Sequence, residues 1–149
     1  MEVKIRIIVE NAPAGVLYAL QEGSGSIYKT QQSQRSGQVP LVFESDILIS
    51  GNEESPPDFK GKIVQGPRGS RFIYLDIGRS AGDPGSVWTR RLKIPLSGIS
   101  WDLVNTVISS DKNILETRVA GTGKDRGPSC GTVKPFSGWH TAIQNPGKS

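Results

Sequence analysis

Apolar and polar side chains alternate along much of this chain, most cleanly in Val3–Glu10, Leu41–Ile49, Phe72–Ile77 and Val87–Ile94. A period of two sends successive side chains to opposite faces, so each stretch reads as a β-strand with one face turned to a core. Val3, Ile5, Ile7 and Val9 form such a face, and Leu41, Phe43, Ser45, Ile47 and Ile49 form another. In Phe72–Ile77 both parities are apolar: Phe72 and Tyr74 on one, Ile73, Leu75 and Ile77 on the other. That pattern predicts a central strand buried on both faces. Shorter strands are expected at 16–21, 27–31, 114–120, 132–134 and 139–143. Residues 62–65 and 71–77 read as a hairpin around Gly66-Pro67-Arg68-Gly69-Ser70. The preceding GNEESPPDFKG reads as a surface loop, because Pro56-Pro57 suits neither a helix nor a central strand.

One short helix is predicted, at about 100–110. Ser100 can cap its first turn, Asp102 favours the positive N-terminal end, and Ile99 sits at a hydrophobic-staple position. Leu103, Val104, Val107 and Ile108 then form one apolar stripe. The expected architecture is mainly β: an antiparallel sandwich or barrel of about seven to nine strands, formed by 1–149 as a single domain. Its expected core is Ile5, Ile7, Val9, Leu41, Phe43, Ile47, Ile73, Leu75, Leu92, Ile94, Leu103 and Val107.

Composition supports short strands joined by tight turns: 18 glycines and 10 prolines accompany only 35% hydrophobic residues. No apolar run approaches the roughly 20 residues of a membrane helix, and Met1-Glu2 leads straight into a strand without a leader pattern. A single cysteine, Cys130, cannot close an internal disulfide, which points to a reducing, cytoplasmic location. The net charge of +4 is uneven, since residues 58–99 carry eight Lys or Arg against three acids. Such a basic region attracts anions, although strand faces that meet acidic neighbours give the same count.

Two basic glycine-rich turns are the candidate ligand contacts: Gly66–Arg71 with Arg68 and Arg71, and Gly121–Gly127 with Lys124 and Arg126. Glycines let backbone N–H groups approach an anion, which the cations neutralise. Neither turn is a P-loop, because no Ser or Thr follows Lys124 and Gly127-Pro128 precludes a helix. Trp88 offers an apolar wall. Alternation places Arg90 on its side and Arg91 on the other, so Arg90 is the expected partner of Asp76. Metal and nucleophile chemistry has little to work with: His140 and Cys130 are the lone members of their types, in no ligand spacing, so no metal or cofactor is expected.

The segments PDFKGKIVQGPRGSRFIYLDIG, WTRRLKIPLSGISWDLV and AGTGKDRGPSCGTVKP, in that order, resemble a bacterial family of small uncharacterised proteins. The resemblance implies a bacterial, single-domain, intracellular protein and brings no activity or site residues with it. The functional expectation is a non-enzymatic binding module for a small anionic or polar ligand, held by Arg68, Arg71, Trp88, Lys124 and Arg126. The alternatives are a protein- or nucleic-acid-interaction domain using the basic second half, and an enzyme built on Asp76 or His140.

Overall fold

The computed structural model describes residues 1–10, 17–22, 27–32, 40–78, 88–110, 113–120, 130–132 and 138–141. Among them run β1 (Glu2–Glu10), β2 (Leu17–Glu22), β3 (Ile27–Gln32), β4 (Leu41–Ser50), β5 (Asp58–Lys60), β6 (Phe72–Gly78) and β7 (Trp88–Pro95). The helix α1 (Trp101–Ser109), β8 (Ile114–Ala120), β9 (Cys130–Thr132) and β10 (His140–Thr141) complete the order. The protein is mainly β with one short helix. No described helix is long and apolar enough to cross a membrane.

The strands make two five-stranded sheets, β10-β8-β1-β4-β5 and β3-β2-β6-β7-β9. Among the described residues neither sheet closes on itself, so the barrel form is not found there. Most pairs are antiparallel, but β1–β8 and β7–β9 are parallel. One hydrophobic cluster draws on both sheets: Val3, Ile5, Ile7, Val9, Phe43, Ile47 and Ile49 from the first, and Tyr18, Leu20, Ile73, Leu75, Ile77 and Ile94 from the second. Leu41, Leu92 and Leu103 pack against it half-buried.

The parity of β6 is therefore settled. Ile73, Leu75 and Ile77 face the core, while Phe72 and Tyr74 lie half-buried on the opposite face. Two expectations need correction. Residues 62–65 do not form a strand, and Gln65 makes only an isolated bridge to Phe72. Instead Asp58–Lys60, assigned to a loop by its neighbouring prolines, pairs with Leu48–Ser50. The prolines at 56 and 57 end just before the ladder begins, so they take no donor from it.

The helix begins as its sequence predicts, with Ser100 Oγ accepting from Leu103 N–H at 3.2 Å. Val104 and Val107 are buried, whereas Ile108 is exposed. Ser110 ends the helix by donating to the Val107 carbonyl, and Asn113, at φ 56°, turns the chain into β8.

The outer face of the first sheet carries a charge ladder. Glu116, almost fully buried, accepts from Arg6 at 3.2 Å and lies 3.3 Å from His140 Nε2 and 3.7 Å from Arg118. Glu44 takes the Arg6 Nε–H at 2.8 Å. Partial burial opposes the Arg6 charge, but bonds to Glu44 and Glu116 outweigh it and hold its pKa above the ordinary value.

The two faces of β4 differ enough to be tested. Phe43→Ala is expected to lower the unfolding free energy by about 3–5 kcal/mol, whereas exposed Leu48→Ala should change it by no more than about 0.5 kcal/mol. Urea denaturation of both variants checks this. A larger loss from Leu48→Ala than from Phe43→Ala would mean that β4 presents the other face to the core.

Candidate functional site

The loop between Gln65 and Phe72 is held from several directions. Gln65 and Phe72 exchange backbone hydrogen bonds of 2.8 and 3.0 Å, and Ser70 N–H donates to the Pro67 carbonyl at 2.9 Å. Gly66 sits at φ +90°, and a Cβ there would come within 2.6 Å of Phe72 Cε2 and of the Ser70 carbonyl oxygen. Only glycine fits this turn.

Arg71 is the clasp of the loop. Its guanidinium donates to both Asp58 oxygens, at 3.1 and 3.4 Å, and to the Gly66 carbonyl. Asp58 belongs to β5 in the first sheet, while Arg71 immediately precedes β6 in the second, so the pair ties the two sheets at one end. The hydrogen bond from Arg71 holds the Asp58 carboxyl below its ordinary pKa, against a burial effect that acts in the opposite direction. Arg68 reaches Asp58 only at 3.9 Å and is three-quarters exposed. An ion pair that open contributes little, and the Arg68 charge faces solvent.

Beyond the loop, β6 and β7 present a cation–aromatic face. Lys93 Nζ lies 4.2 Å from the Phe72 ring centroid, and Arg91 Cζ lies 4.3 Å from that of Tyr74. The two rings meet edge to face at 4.8 Å. Arg91 also forks onto Asp76 at 2.8 and 3.2 Å. Asp76 is wholly buried although it lies on the face opposite the core. The expected partner, Arg90, stands opposite Ile77 instead. The regular antiparallel register sets Asp76 against Arg91, and the ladder shifts only beyond that pair, between Ile77 and Gly78, where Gly78 meets Trp88.

Where this face meets the loop, Gly69, Ser70, Arg71, Phe72, Lys93, Pro95 and Ser97 line a cleft of about 250 Å³. Its two arginine neighbours point toward Asp58, but no carboxylate pairs with Lys93 among the described residues. A larger open groove of about 960 Å³ runs along β4 past Lys60 and Lys62. Its charges are mixed, and Glu44 there already holds Arg6 and Lys4. The smaller cleft is the better candidate for an anion, because its lysine has no carboxylate partner among the described residues.

The sequence candidates are thus distributed. Arg68 and Arg71 stand together at the cleft end of β6. The backbone of Trp88 pairs at the far end of that strand, with Gly78, about 20 Å away at 3.3 Å per residue. Lys124 and Arg126 lie outside the described residues. Lys93, Ser70 and Ser97 were not singled out from sequence, since their significance arises only once Phe72 is paired with Pro95. Asp76 and His140 fall in different sheets, each already engaged by a charged neighbour. Among the described residues no group of three or more His, Cys, Asp and Glu could hold a metal ion.

Asp58→Asn is expected to destabilise the protein by roughly 1–3 kcal/mol at pH 7, by leaving Arg71 without its counter-ion. A carboxylate whose folded pKa is depressed contributes stability above its unfolded pKa of about 3.9 and loses it as pH falls through the folded value. The gap between wild type and variant should therefore close in acid, below the ordinary carboxylate range. Urea titrations at several pH values measure it, and a gap independent of pH would remove Asp58 from this role.

No curated protein and no solved structure matches the chain. A family model does, over residues 3–142: the chain belongs to DUF5990, a family of unknown function.

Proposed function

We propose that this protein is a non-enzymatic binding module whose ligand is a small anion, or a molecule carrying an anionic group, seated in the cleft between the Gly66–Arg71 loop and β7. The observation that carries the reading is Lys93. Its ammonium rests on the Phe72 ring and opens into a cleft edged by two serine hydroxyls, with no carboxylate partner among the described residues. A cation held on an aromatic face keeps its charge while losing part of its hydration, so an incoming anion meets a partly desolvated partner. Ser70 and Ser97 supply neutral donors of adjustable direction. Arg71 fixes the loop, and Arg68 adds an exposed charge at the rim that steers the ligand.

The frame we infer is one domain of two facing sheets, working in the reducing cytoplasm. The sheets' shared hydrophobic cluster and the single cysteine support that reading. Trp88, Lys124 and Arg126 stay in the proposal as contacts for the more distant parts of a larger ligand.

Titration of inorganic phosphate at low ionic strength, followed by amide chemical shifts, tests the reading. Ser70, Lys93 and Ser97 are expected to shift together, and Lys93→Ala to weaken binding about tenfold or more, the loss of one charge-assisted bond. Lys60→Ala, in the other groove, should leave the affinity unchanged. If neither phosphate nor a carboxylate such as citrate moves those three amides, the cleft is not an anion site.

A further inference from the structure

The cleft is too small for a whole ligand of ordinary size. Its volume of about 250 Å³ falls below the usual range for enclosed small-molecule sites. It takes an anionic head and leaves the remainder on the sheet face beside it, where Arg91, about a third exposed, is the next residue of the same parity after Lys93. We infer, on the strength of the anion-binding reading above, that the ligand is a nucleotide: its phosphate at Lys93 and its base laid on the guanidinium of Arg91.

The case rests on how Arg91 is held. Its charge is already met by the buried Asp76 carboxylate, so it is a poor seat for a second anion. Its orientation is fixed from two sides, by that fork and by the Tyr74 ring, while about a third of the side chain stays exposed. A guanidinium immobilised and neutralised in this way offers a planar, polarisable surface, the kind on which bases stack. A buried ion pair does not by itself favour stability over an apolar pair, which leaves positioning as its use. Spacing agrees as well. Residues two apart on one strand face stand roughly 7 Å apart, the reach of a single sugar between a phosphate and its base. Free nucleotides and nucleotides within a single strand share this chemistry.

Calorimetric titration of the full chain with AMP, adenosine, ribose 5-phosphate and inorganic phosphate separates the parts. AMP is expected to bind at least about fivefold more tightly than ribose 5-phosphate, the contribution of one stacked base. Arg91→Lys, which keeps the charge but not the plane, should bring AMP down to the ribose 5-phosphate level and leave phosphate binding as it was. If that variant does not fold, the wild-type ligand comparison decides alone. AMP and ribose 5-phosphate binding equally, both dependent on Lys93, would overturn the nucleotide inference and leave the anion site standing. No binding by any phosphate would remove both. A labelled single-stranded ten-mer identifies the source: affinity well above that of AMP, falling steeply with salt, assigns a strand. AMP binding as tightly as the ten-mer assigns the free nucleotide, and either result supports the inference.

Discussion

The Arg71–Asp58 pair is the constraint on which the loop-bearing end of this molecule depends. Two sheets that share an apolar core can slide or splay at their ends, because hydrophobic contact is not directional. A guanidinium forked onto a carboxylate is directional. Here it joins β5, an edge strand of one sheet, to the residue just before β6 in the other. The same guanidinium reaches the Gly66 carbonyl, so one side chain fixes both the sheet ends and the loop. Arg71 also accepts the Leu96 N–H at 3.0 Å through its own carbonyl, which draws the end of β7 into the arrangement. Phe72, Lys93 and the two serines inherit their positions from it.

Charge is managed differently on the two outer faces. On the first sheet, carboxylates and cations alternate across β4, β1 and β8, and each of Lys4, Arg6 and Arg118 finds Glu10, Glu44 or Glu116. That surface is close to self-neutralised. On the second sheet, Asp76 accounts for Arg91 and Asp58 for Arg71, while Lys93 rests on an aromatic ring. Among the described residues, the basic excess counted between residues 58 and 99 thus includes arginines paired with buried carboxylates, Arg71 and Arg91, and a lysine that rests on an aromatic ring. Net charge alone did not distinguish these, because a paired arginine and a lone lysine count the same.

Much of the fold was legible in the chain because a period of two is a local signal. The core faces of β1 and β4 and the capped helix at Ser100 follow from residues a few positions apart. What was illegible depends on partners distant in sequence. In Phe72–Ile77 the two parities are equally apolar, and only the partner strands decide that Ile73, Leu75 and Ile77 turn inward. Alternation along one strand does not say which residue of the next stands opposite, and the β6–β7 register sets Asp76 against Arg91 and Ile77 against Arg90. Asp58–Lys60 became a strand because β4 offered it an edge, overriding the local signal of two prolines.

The same reasoning explains why the site could be only half read. Arg68 and Arg71 announce themselves through a glycine-rich turn, a contiguous motif. Lys93 lies more than twenty positions further along, inside a strand whose alternation marks it simply as outward-facing. It becomes a ligand candidate only when antiparallel pairing sets Phe72 against Pro95 and Tyr74 against Lys93. Sheet pairing also supplies rigidity that a loop alone lacks: Lys93 and Arg91 project from a paired strand, and the rings beneath them project from its neighbour. Groups fixed in this way lose little conformational freedom on binding, and so more of each contact survives as affinity. A loop clasped to the opposite sheet completes the cleft from the one side that strands cannot enclose.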